Sequence, residues 1–260
     1  MPSESSHGLK SLDAALSVLK HLISMNGPAT LSDIARAHDM PPSKVHRYLA
    51  SFVSAGLVKQ QGRSGRYDLG PAALQMGLAA IARNDFVNSA AEGLPDLSAE
   101  TGMTVVLAVW ANQGATVVRW ERGTSPTDTS MGLGTTLPLL NSATGRVFLA
   151  WGPPRAIAPV RDAQLRRFAR QPGALQDIEP TKSGVASLIT HIRQQGFASI
   201  EGRFIPGLIA ASAPILDWQG EAQAAITIFG IDPESVAPGS PQVHLLIDYC
   251  AEKSVTRDNS

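Results

Sequence analysis

A run of cations between residues 41 and 66 is where residue type and spacing first suggest a chemistry. Lys44, Arg47, Lys59, Arg63 and Arg66 fall there with no Asp or Glu, in a chain of zero formal net charge. On a helix starting near Pro42 or Ser43, Val45, Leu49, Phe52 and Val53, flanked by Tyr48, recur every three or four positions and make one stripe to bury. The opposite face carries Ser43, Lys44, His46, Arg47, Ala50 and Ser51. These short or basic side chains suit phosphates and base edges in a major groove. The competing reading is a solvated basic face. His46 has no other histidine near it in sequence, so a hydrogen bond to DNA, or plain exposure, accounts for it without metal or acid–base chemistry.

Such a face needs a frame. Leu12, Ala15, Leu16, Leu19, Leu22 and Ile23 keep helical spacing, and Asn26-Gly27-Pro28 stops that helix. Thr30 or Ser32 caps a second short helix carrying Leu31, Ile34 and Ala35, and Pro41-Pro42 starts the third. Two short helices with a tight connection and a basic second partner are a helix-turn-helix, with Ser32 counted among its DNA-facing residues. After Ala55-Gly56 the period changes. Leu57 to Lys59 and Arg66 to Leu69 predict two strands around Gly62 and Gly65, a β-wing placing Arg63 and Arg66 against phosphate or minor groove. Pro71 then opens an apolar linker helix in which Leu74, Leu78 and Ile81 share a face. A linker has no need of such a stripe unless it packs on something, and a second copy is the economical choice, because a helix-turn-helix reads DNA in pairs.

From Phe86 the pattern is helix (about 90 to 101), strands 104 to 110 and 115 to 121 joined by Asn112-Gln113-Gly114, and a Gly/Ser/Thr-rich loop from 123 to 136. The segment LPLLNSATGRVFLAW turns at Asn141-Ser142 into a helix, and further helices are expected near 162 to 170 and 181 to 195. Strands return at 197 to 199, 208 to 216 and 222 to 231, before a last helix from Val243 to about Lys253. This order predicts an α+β domain around an antiparallel sheet. The expected organisation is a winged helix at 9–70, a linker and dimerisation helix at 71–85 and a larger domain at 86–255, consistent with 260 residues.

Charge divides the same way: residues 1 to 85 hold nine Lys/Arg against six Asp/Glu, and the remainder thirteen against sixteen. The single cysteine, Cys250, excludes an internal disulfide and reads as packing in an apolar helix. With no apolar signal core at the start and no run long enough to span a bilayer, a cytoplasmic protein is expected. Enzymatic signatures are missing. There is no Gly-x-Ser-x-Gly elbow, His-Glu-x-x-His helix or P-loop, the six histidines are scattered, and neither metal nor cofactor is expected.

The segments LSDIARAHDMPPSKVHRYLASFVSAGLV, GRYDLGPAALQMG, LPLLNSATGRVFLAW and IRQQGFASIEGRFIPGLIAASAPILDWQGEAQAAITIFG resemble, in order and distance, the isocitrate-lyase-regulator (IclR) family of transcriptional regulators. The resemblance implies a winged helix joined by a helix to a GAF-like effector-binding domain, dimeric or tetrameric, on palindromic double-stranded operators. It also implies an effector, often a small organic acid, beside Asn141-Ser142-Ala143-Thr144-Gly145. There a helix N-terminus offers free amides to an anion, although the same residues also fit an ordinary N-cap. The commoner family form has histidine at Leu140 and threonine at Ser142, so the pocket here is expected to be less polar. Glu201 and the strand around Ala210 and Ser212 would form a second wall, with Ala210 standing where relatives often have cysteine. Met103, Met131, Leu133, Trp110 and Trp120 are candidates to surround an apolar or aromatic body, or are simple core. Strand alternation sets Arg119 and Trp120 on opposite faces, so both cannot line one pocket. The leading reading is a DNA-binding regulator controlled by a small organic or aromatic acid. The alternative is a small-molecule enzyme or carrier whose N-terminal module serves assembly.

Overall fold

A computed structural model describes residues 9–25, 27–62, 65–83, 85–111, 114–124, 131–171, 175, 177–202 and 204–255. The chain divides into two compact units, Met1–Asp85 and Phe86–Ser260.

In the first unit, helix α1 (Lys10–Ser24) buries Ala15, Val18 and Leu22. Helix α2 (Leu31–Ala37) is capped by Thr30, whose hydroxyl accepts from the Asp33 amide at 3.2 Å and donates to the Asp33 carboxylate at 2.6 Å. Asp39 takes a left-handed conformation (φ 48°) that turns the chain toward α3 (Pro42–Ser54), which opens with proline at its first position, where no amide is needed. Val45 and Leu49 close the core against Val18, Leu22 and Ile34. The stripe is narrower than expected. Val53 is 38% exposed and Phe52 only partly covered, because 100° per residue carries position 53 to the edge of a stripe centred on 45 and 49. Strands β1 (Val58–Gln61) and β2 (Arg66–Leu69) pair antiparallel from Val58 opposite Leu69 to Gln61 opposite Arg66. Ala29 and buried Tyr67 exchange both backbone hydrogen bonds, at 2.9 and 2.8 Å, and so fasten this hairpin to the α1–α2 connection. Helix α4 (Pro71–Ala82) buries no residue, and Leu74 and Leu78 are exposed.

One partly buried group is expected to make this unit acid-sensitive. His38 ends α2 with its Nδ1 3.5 Å from the Ser17 hydroxyl, its Nε2 buried without a partner among the described residues, and the His21 ring edge-on at 5.1 Å. Burial, and secondarily the nearby His21, hold it below the usual histidine value of 6.5. The folded unit therefore favours neutral His38, while the unfolded chain takes up the proton. Its contribution is present in full above pH 6.5 and fades as pH falls beneath that value. Denaturant titrations between pH 7.5 and 5, read by hydrogen exchange in residues 10 to 54, are expected to show a stability loss that His38→Leu flattens; an identical slope in the variant refutes the assignment.

The second unit begins with two helices, α5 (Asp85–Ala91) and α6 (Leu94–Thr101), in place of the single helix expected from about 90 to 101. Gly93 and Pro95 explain the break, since proline fits the first turn of a new helix but not the interior of a continuous one. Strands β3 (Thr104–Ala111) and β4 (Gly114–Glu121) form a hairpin, β5 (Thr136–Leu137) adds to β4, and helices α7 (Ala143–Trp151), α8 (Pro154–Ala169) and α9 (Lys182–Gln195) follow. Helix α8 begins well before the expected residue 162 because Pro154 starts it and Pro159 is tolerated inside it. Strands β6 (Ala198–Glu201), β7 (Ile209–Leu216) and β8 (Ala222–Gly230) and helix α10 (Pro241–Lys253) complete the unit. The six-stranded antiparallel sheet has the order β5-β4-β3-β8-β7-β6. Helix α7 packs on β7 and β8, while α6 and α10 pack on β3, β7 and β8. The central strands are thus buried on both sides, and β8 is apolar apart from exposed Gln223 and buried Thr227. Cys250 is buried in α10 with its thiol against the Ala213 carbonyl, and desolvation raises its pKa, so it packs and does not react. Among the described residues, no helix is long and apolar enough to cross a membrane and no cluster of metal-binding side chains occurs.

Candidate functional site

Helix α3 holds its polar side outward by burying Val45 and Leu49. Ser43, His46, Arg47 and Ser51 are exposed, and Lys44 is partly covered, its ammonium 6.0 Å from the Tyr48 ring. The Ser51 hydroxyl donates back to the Arg47 carbonyl at 3.2 Å, leaving its lone pairs outward. Ser32 is exposed on α2, in a shallow depression with Arg36 and Pro42. Two basic side chains are tied within the unit: Lys59 lies 3.5 Å from Asp68, and Arg66 donates to the Pro28 carbonyl at 3.3 Å. Arg63 lies outside the described residues.

The second site is a cavity of about 500 Å³, counting its mouth, between α7 and one face of the sheet. Strand pairing sets Trp120 opposite Val106, Val106 opposite Thr227, and Thr227 opposite Ser212; Ala210 faces Phe229 on the adjoining rung. All of these rung residues but Ser212 make the floor, with Ile205 and Leu208 on the loop side, and the walls are almost wholly apolar; Ser212, expected at the site, is fully buried and does not line it. Met131, Ser142, Ala143 and Ala210, all expected at the site, line it, as does Trp120.

The other expected residues lie elsewhere. Leu133 is 67% exposed, Leu140 is fully buried behind the turn, and Trp110 packs on Phe148 in the core. A side chain at Gly145 would reach within 2.1 Å of the Pro138 carbonyl, so this position lets α7 approach the preceding turn and does not itself face a ligand. Asn141 faces a neighbouring cleft, and Glu201 faces a separate polar cleft with Arg146, Asp177 and His191. Arg119 turns away from Trp120 and donates to Asn88 at 2.9 Å, as alternation requires.

Hydrogen bonding decides what this cavity can offer. Ser212 donates to the Ile226 carbonyl at 3.0 Å and accepts from Thr227 at 2.9 Å; with the Thr227 proton spent, Thr144 must donate to Thr227 across 2.7 Å. Ser142 caps α7, accepting from the Gly145 amide at 2.9 Å and donating to the Pro138 carbonyl at 2.6 Å. Every hydroxyl proton on the wall is therefore committed. The amides of Ala143 and Thr144, in the first turn of α7, have no partner among the described residues, and these are the donors left for a ligand. Thr227 was missed by sequence reading, because it lies 83 residues from Thr144, which stands in the expected turn.

Residues 11–62 match the family described as the IclR helix-turn-helix domain, and residues 78–252 match the Bacterial transcriptional regulator IclR C-terminal family. The chain belongs to the IclR family. Among IclR-type relatives, the HTH-type transcriptional regulator BhcR of Paracoccus denitrificans is 31% identical over 88% of this chain and 80% of its own length. The crystal structure of Pseudomonas aeruginosa HmgR is 34% identical, covering 95% of this chain and 97% of that one, with a TM-score of 0.56. An IclR-type regulator structure from Alicyclobacillus acidocaldarius, 24% identical, shares the fold at a TM-score of 0.75 over 95% of this chain and 98% of that one. Like these IclR-type proteins, the chain is a DNA-binding transcriptional regulator with an effector domain, not an enzyme.

Proposed function

We propose that the winged helix reads a palindromic operator in the cytoplasm through Ser32, Ser43, Lys44, His46, Arg47, Ser51, Arg63 and Arg66, as one half of a homodimer or dimer of dimers. We further propose that a small organic or aromatic acid in the larger unit controls that reading. The observation that carries the effector reading is the pairing of an apolar cavity with two unpartnered amides at the start of α7: it suits an apolar or aromatic body whose carboxylate meets a helix N-terminus. For pairing, α4 supplies the support, since it leaves Leu74 and Leu78 open to solvent at 65% and 57% exposure. Control then operates as a population shift: the acid binds DNA-competent and DNA-incompetent arrangements with different affinity.

The test is binding of the full chain to an operator fragment and to random duplex across a salt series. Arg47→Ala is expected to cost about 1 to 3 kcal/mol if Arg47 reads a base, and to lower the magnitude of the log–log salt slope by about 0.9 if it neutralises one phosphate. Unchanged affinity and slope would remove α3 from the interface, and no preference for operator over random duplex would sink the reading as a whole.

A further inference from the structure

Beside the apolar cavity lies a second space of about 780 Å³, counting the solvent at its mouth, between α8 and the turn at residues 136 to 141. Leu137 and Phe204 face both spaces, so they form a common partition. Asn141, in the turn, lines the outer space, and Ser142, at the start of α7, lines the inner one. The two spaces differ in chemistry. The inner one holds apolar walls and amide donors, whereas the outer one holds Arg167, Gln164 and Asn141. Gln164 is occupied, its carbonyl accepting from the Leu140 amide at 3.1 Å. Among the described residues the Arg167 guanidinium has no hydrogen bond or ion pair, so an uncommitted cation stands on the far side of a two-residue partition from an apolar pocket.

We infer that the two spaces are halves of one ligand site, and that the effector is a two-headed aromatic acid whose second anionic group, past Phe204, is bound by Arg167. The first carboxylate meets the α7 amides and the ring fills the inner half. The inference deepens the effector reading above and rests on it. Arg167 then acts as a specificity residue, separating two-headed acids from single-headed ones of the same shape. Its guanidinium suits a carboxylate by forked geometry and not only by charge.

The test uses the full-length chain, with phenylpropanoate and its para-carboxylated analogue as probes, titrated by calorimetry against the natural sequence, Arg167→Gln and Arg167→Lys. The dicarboxylate is expected to bind about fivefold more tightly than the monoacid, the upper end for a solvent-accessible ion pair. That increment should vanish in Arg167→Gln, return in part in Arg167→Lys and shrink at high salt, while monoacid affinity stays unchanged throughout. If the monoacid binds but the second carboxylate adds nothing, or its gain survives Arg167→Gln, the outer half is refuted and the inner pocket stands. If neither acid binds, both readings fall.

Discussion

Arg146→Ala is expected to destabilise the C-terminal unit by about 3 kcal/mol and to loosen the turn that shapes the pocket. Arg146 is 3% exposed, although it lies on a helix otherwise buried by apolar packing. Its Nε donates to the Leu140 carbonyl at 2.9 Å, while its two terminal nitrogens meet the Asp177 carboxylate oxygens at 2.5 and 2.9 Å. One side chain therefore ties the α8–α9 connection to the turn before α7. Alanine would orphan a carbonyl on a fully buried residue and leave a cavity, and each of these is costly. Asp177 is 26% exposed and recovers part of its solvation, which holds the loss near the lower end for a broken buried pair. Asp177→Asn keeps at most one of the two hydrogen bonds and leaves the buried Arg146 charge uncompensated, so it is expected to cost a similar amount, about 3 kcal/mol. All four tryptophans, 110, 120, 151 and 218, fall in this unit, so a fluorescence melt reports on it alone. For about 175 residues a 3 kcal/mol loss lowers the melting point by roughly 6 to 12 °C. A melt matching the natural sequence would show that the clamp contributes nothing.

Gly70→Ala is expected to remove DNA binding without touching that tryptophan melt. A β-carbon at Gly70 would lie 2.2 Å from the Gly56 carbonyl oxygen and 3.0 Å from backbone carbon of Val58. Backbone cannot swing aside as a flexible side chain does, so the strand and the start of α4 must separate. The conformation itself is not the obstacle, because φ −93° and ψ 173° suit alanine. What is lost is the junction in which Gly70 donates to Leu57 at 2.8 Å and Ala72 donates to Gly56 at 3.0 Å, anchoring the wing. A cost of about 3 kcal/mol is expected, the upper part of the range for overpacking, in a unit with a small core. Gly77→Ala is the matched control: its β-carbon meets nothing within 4 Å, and inside a helix alanine is the better residue. Hydrogen exchange in residues 10 to 70 with an operator-binding assay would distinguish the two variants. Normal binding by Gly70→Ala would mean that the junction yields cheaply.

The sequence by itself determined the winged helix, because its signals are local. Period 3.6 marks Val45 and Leu49 as the buried side of α3, Thr30 caps α2 within three residues, and the switch to strand period with glycines marks the hairpin. It also marked the turn before α7, where Ser142 caps the helix that lines the cavity. The break between α5 and α6 was written in Gly93 and Pro95 but outweighed by the apolar pattern on either side. Only the tertiary structure decided which residues surround the cavity. Thr144 meets Thr227, Arg146 meets Asp177, and Phe204 stands between two spaces, because strand register and helix packing bring together positions with no periodic relation along the chain. The same physics places Glu201 on a different cleft: it pairs with Ile209, next to the Ile200–Ala210 pair, on the edge strand β6, whose residues 198 to 201 all border the separate polar cleft.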